Sequence, residues 1–257
     1  MKKLLSLFLL LAATTAFANP IDDSCKQLTY KSAPVINADQ YICHKEYAVA
    51  YSWTSRNPIY TTEFLAANHT GKMKRSNDFR VDPAIDPSHQ SSPKDYVHSM
   101  CNGGRCDRGH MTPDQDFSAC EVCVHESFFM SNMVPQNYKN NEVIWKQMET
   151  YIRGYTKSHP AGVYVITGPV YKTINPPTIG KDKVWVPSSL WKIMIDAQTG
   201  KSIAFMMPNE PEHDLSKFVV NLEAIEAVTG IKFDPSLDKT TVANYQAWLI
   251  QAKQKRK

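Results

Sequence analysis

The sequence carries little excess charge of either sign. Its 29 lysines and arginines stand against 25 aspartates and glutamates, a formal net charge of +4 over 257 residues. That balance is too near neutral to argue alone for a nucleic-acid partner, although a local basic patch could still bind phosphates. Internal repeats and low-complexity linkers are also missing, which excludes a solenoid or a string of tethered modules. After the first residues no stretch is long and apolar enough to span a bilayer, so the mature form is expected to be soluble, without a membrane partner.

The one apolar run stands at the start. Lys2 and Lys3 precede a nearly unbroken apolar segment from Leu4 to Leu11, and Ala16-Phe17-Ala18 offers small residues spaced as at a cleavage site. This is the layout of a secretory signal peptide. The expectation is a cleaved leader over residues 1–18 and export to the periplasm or beyond the cell. Loss of the leader, with two lysines and no acids, lowers the net charge to +2. The remaining length suits one large domain or two small ones. Lys253, Lys255, Arg256 and Lys257 make the end basic, a pattern more typical of a solvated tail than of a binding element.

All six cysteines, Cys25, Cys43, Cys101, Cys106, Cys120 and Cys123, follow the leader. An even number in an exported chain suggests disulfides, though the sequence does not fix the pairing. The sequence-near pairs Cys25–Cys43, Cys101–Cys106 and Cys120–Cys123 are the expectation. A zinc site on Cys120, Cys123 and nearby His125 is the rival reading, which an oxidising compartment disfavours.

Residues 47–67 mix aromatics, Val and Thr around Asn57-Pro58 and read as two strands joined by a turn. Residues 82–106 are rich in Asp, Pro, Ser and Gly without an apolar period, hence a long loop of the kind that is often functional. Glu126 to Val134 reads as a strand. From Asn141 to Arg153 the pattern is helical, with Ile144, Met148, Tyr151 and Tyr155 on one stripe, Asn140 or Asn141 as cap and Gly154 as stop. Val163–Ile166, Val184–Val186, Trp191–Asp196 and Ser202–Met207 read as strands, and Phe218–Val228 as a helix ending at Gly230. Strands before, between and after helices predict an α+β fold with a mixed or antiparallel sheet core and flanking helices.

Asp107-Arg108-Gly109-His110, Asn132, Asn141 and Glu149 stand out in the middle third. On a helix, Asn141 and Glu149 drift only about 80° around the axis, so they share a side next to the apolar stripe. A polar pair there needs partners, which a hydrated metal would supply. On spacing alone, a helix cap and an ordinary surface glutamate explain them as well. Histidine can take a proton from water near neutral pH, and a neighbouring arginine can brace a phosphate. The histidines at 44, 69, 89, 98, 125, 159 and 213 have no comparable sequence surroundings.

DRGHMTP at 107–113, followed by SNMVPQNYKNNEVIWKQME at 131–149, resembles the signature of the DNA/RNA non-specific endonucleases, a ββα-metal (His-Me finger) family. The resemblance continues through VITGPVY at 165–171, VPSSLWKIMID at 186–196 and IEAVTGIKF at 225–233. It implies one domain over residues 19–257 and cleavage of DNA and RNA through the phosphate backbone. His110 would be the general base, Asn141 the direct ligand of Mg²⁺ (or Mn²⁺, or another divalent cation) and Glu149 a ligand through water. Arg108 would lie beside the phosphate, with Asp107 orienting waters and backbone. Arg75 would match an upstream arginine for which Arg80 competes, and Asn132 would support the metal-bound waters. Four residues before Asn132, where some relatives carry asparagine, this chain has Phe128. A homodimer and an inhibitor protein are left open as partners.

Overall fold

The computed structural model describes residues 20–253. The leader read over residues 1–18 and the basic residues Lys255, Arg256 and Lys257 lie outside them. Helix α1 (Pro20–Ser24) leads into a meander of β1 (Gln40–Cys43), β2 (Tyr47–Ser52) and β3 (Asn57–Leu65). A long irregular stretch reaches β4 (Met100–Cys101) and β5 (Gly104–His110), followed by α2 (Glu121–Ser127) and β6 (Met133–Asn137). A π turn over Asn140–Trp145 opens α3 (Lys146–Thr156). Next come β7 (Val163–Val170), the hairpin of β8 (Thr178–Ile179) and β9 (Val184–Trp185), then β10 (Ser189–Asp196) and β11 (Ser202–Pro208). The described chain ends through β12 (Val219–Val220), α4 (Leu222–Thr229) and α5 (Tyr245–Lys253).

Seven strands pair in the order β1-β2-β3-β7-β10-β11-β12, each antiparallel to its neighbour, and the α+β expectation stands. Both faces of the sheet are covered, which is why β10 reads SLWKIMID without a polar alternation. On one face Trp191, Ile193 and Ile195 pack with Ile21, Leu222 and Ile225. On the other, Leu190 and Met194 meet Ile144, Trp145, Met148 and Ile152 from the π turn and α3. The helical stripe Ile144, Met148, Tyr151 and Tyr155 is buried as its period predicts. Ile144 and Met148 each contribute roughly 1.5–3 kcal/mol.

Strands β4, β5 and β6 form a second antiparallel sheet in that order, with Asp107 opposite Gln136 and His110 opposite Met133. With α3, β5 and β6 make a ββα unit, and His110 is the last residue of its first strand.

Several local expectations need correction. Asn57-Pro58 begins β3; the turn is Trp53–Arg56, closed by Arg56 N–H donating to the Ser52 carbonyl, with Arg56 at φ 55°. Glu126–Val134 is no strand: it spans the end of α2, a 3₁₀ turn at Met130–Asn132 and the start of β6. Phe128, Met130 and Met133 are all buried, and burial all round imitates a strand-like apolar run. Neither Asn140 nor Asn141 caps the helix; both lie inside the π turn. Gly154 does not stop α3, which runs to Thr156. The second helix starts at Leu222, capped by Asn221, although Gly230 does end it at φ 74°. The long loop is real but gives way to a hairpin at Met100.

Candidate active site

His110 ends β5 at the wall of a cleft of about 740 Å³. Its position is set by the next residues: Met111 N–H donates to the Asn132 carbonyl, and Thr112 N–H to Asn132 Oδ1 at 2.9 Å. Asn132 Nδ2 returns bonds to the Thr112 and Ser127 carbonyls. Asn132 is fully buried with its amide committed to backbone, so it clamps the histidine segment and does not face waters in the cleft. Phe79 and Phe128 stand against the imidazole, with centroids 5.6 and 5.0 Å from it. Burial, and behind it the Arg75 and Arg108 guanidiniums, hold His110 well below the ordinary imidazole range. Among the described residues its Nε2 has no hydrogen-bond partner. A neutral imidazole is the form able to accept a proton.

Across the cleft, Asn141 Nδ2 donates to Asp107 Oδ2 at 3.0 Å. A carboxylate only accepts, so Asp107 orients the amide and leaves its carbonyl end for a ligand. Arg105 holds the other Asp107 oxygen and reaches Glu142. Glu149 also lines the cleft, half-buried, and among the described residues no hydrogen bond or ion pair engages its carboxylate. Burial pushes Glu149 up to about 7, against the opposing pull of Lys192 and Arg153. A nearby cation would restore its charge. Among the described residues no three His, Cys, Asp or Glu side chains gather as a ligand cluster. An amide oxygen and a lone carboxylate instead suit a hard cation that keeps most of its water.

Three arginines line the same cleft. Arg75 pairs with buried Asp114 at 2.6 Å, Arg153 with buried Asp116 at 2.7 Å, and Arg108 lies 4.1 Å over the Phe79 ring. Arg80 turns away, bonded to Asp78 and resting on Phe129, so the structure brings Arg75 to the site. Arg153 went unnoticed in the sequence, although it stands one helical turn beyond Glu149. Lys192 was hidden inside an apolar strand. Its fully buried ammonium donates to the carbonyl of Met111, the residue after His110, at 2.9 Å and to Thr167 Oγ1 at 2.6 Å.

The cysteines stand in the three sequence-near pairs, at Cα separations of 6.0, 5.0 and 5.2 Å, within disulfide reach. His125 turns to Asp78, 3.5 Å away. His44 has surroundings that its sequence neighbours did not reveal: it pairs with buried Asp82 at 3.0 Å, and Ser131 Oγ donates to the same oxygen.

The sequence profile of the DNA/RNA non-specific endonucleases matches residues 25–240. Over 221 residues the chain is 35% identical to the mitochondrial nuclease EXOG of Xenopus laevis, covering 79% of this chain and 59% of that protein. It is 28% identical to Nuclease C1 of Cunninghamella echinulata var. echinulata, covering 80% of this chain and 87% of the relative. The chain thus spans about three fifths of the length of the EXOG proteins it matches. A solved structure of the EndoG/EndoGI complex superposes with a TM-score of 0.75 at 28% identity, covering 84% of this chain and 94% of that one.

Proposed function

Since the chain belongs to the DNA/RNA non-specific endonuclease family, we propose that it is an exported, divalent-metal-dependent endonuclease that hydrolyses phosphodiester bonds of DNA and RNA without sequence specificity. The observation that carries this reading is the convergence of His110, Asn141, Glu149 and three arginines on one cleft. Residues 1–18 would be its leader and residues 19–257 one catalytic domain.

Neutral His110 takes a proton from the attacking water as its oxygen bonds to phosphorus. The bond to the 3′ oxygen then breaks, leaving a 5′-phosphate and, after protonation from solvent, a 3′-hydroxyl. Arg75, Arg108 and Arg153 set positive charge around the phosphate, two of them held in place by buried aspartates. Asn141, oriented by Asp107, and Glu149, through water, would hold Mg²⁺ or Mn²⁺. When bound, such an ion supplies charge that stabilises the departing oxygen. These groups address the phosphodiester and none requires a particular base or a 2′-hydroxyl, which favours activity on both DNA and RNA. The likeness to EndoG in the EndoG/EndoGI complex supports an inhibitor protein as a further partner class.

The test is cleavage of circular plasmid and of single-stranded RNA with Mg²⁺, with and without a chelator. His110→Ala is expected to cut about 10²–10⁴ more slowly while keeping its fold. Intact plasmid and RNA after incubation with oxidised wild type and Mg²⁺ or Mn²⁺ would refute the reading.

A further inference from the structure

Asn141 sits second in a π turn, a widening of the helix that costs regular hydrogen-bond geometry and needs a local cause. The cause is a web of buried side-chain amides beneath it. Asn137, the last residue of β6, accepts at Oδ1 from the N–H groups of Lys139 and Asn140 at 3.0 and 3.4 Å, starting the turn. Asn140 Oδ1 accepts from Gln136 Nε2 at 2.7 Å. Its Nδ2 donates to the carbonyls of Pro208 and Glu210 at 2.9 and 3.0 Å.

Those two carbonyls flank Asn209, which is fully buried just beyond β11. Asn209 Oδ1 accepts from the Asn137 N–H at 2.8 Å, and its Nδ2 donates to the Pro135 and Pro187 carbonyls, each at 3.0 Å. Its own N–H donates to the Ser188 carbonyl. The strand end and the turn are therefore both tied to one short segment distant in sequence. A fully satisfied buried amide rigidifies what it joins, and removing it strands several backbone groups at once.

We propose that Asn209, acting through Asn137 and Asn140, is the positioning residue that fixes the π turn and so holds Asn141 for the divalent cation. The proposal rests on the metal reading above and makes Asn209 no ligand itself. Its consequence is specific: disturbing the web should weaken metal binding before it disturbs the rest of the fold. Partners that orient a ligand from outside the coordination shell typically change metal affinity by roughly 10–100-fold.

Mn²⁺ binding to the oxidised mature chain, followed by the electron paramagnetic resonance signal of free Mn²⁺, tests this directly. Asn209→Ala and Asn140→Ala are each expected to weaken Mn²⁺ binding by about 10–100-fold, with cleavage recovering as Mn²⁺ is raised. Leu222→Ala, in the core on the far face of the sheet, should lose stability with unchanged Mn²⁺ affinity. Should Asn209→Ala not fold, Asn140→Asp carries the test, because it keeps the acceptor for Gln136 and drops the bonds to Pro208 and Glu210. Folded variants that bind Mn²⁺ as tightly as a metal-binding wild type overturn the proposal alone. A wild type that takes up no Mn²⁺ overturns it together with the metal reading.

Discussion

The ring of Phe128 meets the imidazole of His110 edge-on, with centroids 5.0 Å apart and planes at 88°. Arg75 lies over the same phenyl ring, its guanidinium carbon 5.0 Å from the centroid. One apolar side chain thus dries the imidazole and supports a cation beside it. Both effects disfavour imidazolium, as the lowered His110 pKa reflects.

Phe128→Asn should therefore raise the His110 pKa towards its ordinary value of about 6.5. In the wild type the ring stays neutral below that pH; in the variant, protonation should begin at higher pH. An NMR titration of the His110 ring measures this directly. The linkage has a definite sign. Below about 6.5 the unfolded chain binds a proton at this histidine that the folded chain refuses, so His110 costs stability as pH falls. Phe128→Asn should shrink that cost, and an unchanged or lower His110 pKa in the variant would refute the account.

Arg75 and Arg80 lie five positions apart, yet only Arg75 faces the cleft. Arg75→Ala should lower cleavage by about 10²–10³, the scale for losing one donor aimed at developing charge. Arg80→Ala, whose partners are Asp78 and the Phe129 ring, should leave the turnover number almost unchanged. Single-turnover rates at saturating plasmid separate the two, and a reversed ranking would put Arg80 in the site.

Lys192 and Glu63 are both almost fully buried, and each feels the charges of Asp116, Glu149 and Arg153. Burial pushes Glu63 well above the usual carboxylate range and lowers Lys192, although the surrounding carboxylates pull Lys192 back up. Lys192→Met leaves the Met111 carbonyl without its donor and the carboxylates without their counter-charge. A loss of about 1–3 kcal/mol is expected, the cost of leaving a buried acceptor without its donor. Glu63→Gln imitates the neutral acid and should cost less. Urea unfolding of the two variants gives the comparison.

The roles of the candidate residues were legible through the family resemblance that DRGHMTP and SNMVPQNYKNNEVIWKQME carry, since spacing alone fits a helix cap and a surface glutamate as well. Asp107 to His110 are contiguous, and Asn141 and Glu149 share a helix that the apolar stripe had already placed. Arg153 stands only four residues past Glu149, but an arginine late in a helix gives no local signal until Asp116 is seen to hold it. The resemblance alone gave Asn132 a role towards metal-bound waters, whereas the partners of its amide are backbone groups at positions 112 and 127. The π turn was not readable at all. Among the bonds that hold it are those from Asn140 to the Pro208 and Glu210 carbonyls, 68 and 70 residues away, and helical periodicity carries no trace of them.

The pair Cys101 and Cys106 closes the hairpin immediately before Asp107, and the Cys101 carbonyl accepts from Asn137 Nδ2 at 3.1 Å. A disulfide here would join the strand that carries Asp107 and His110 to the amide web under Asn141. A native disulfide typically contributes about 2–4 kcal/mol by restricting the unfolded chain, and so short a loop contributes less. The larger effect is expected at the site, where loosening the hairpin frees Asp107 to move away from Asn141. Reduction should therefore abolish cleavage before it changes secondary structure, and Cys101→Ser should behave like the reduced chain. Cleavage assays and circular dichroism along one dithiothreitol titration, with peptide mapping of the oxidised protein, make the comparison. Full activity in chain with all six thiols free would show that the hairpin holds its position without the bond.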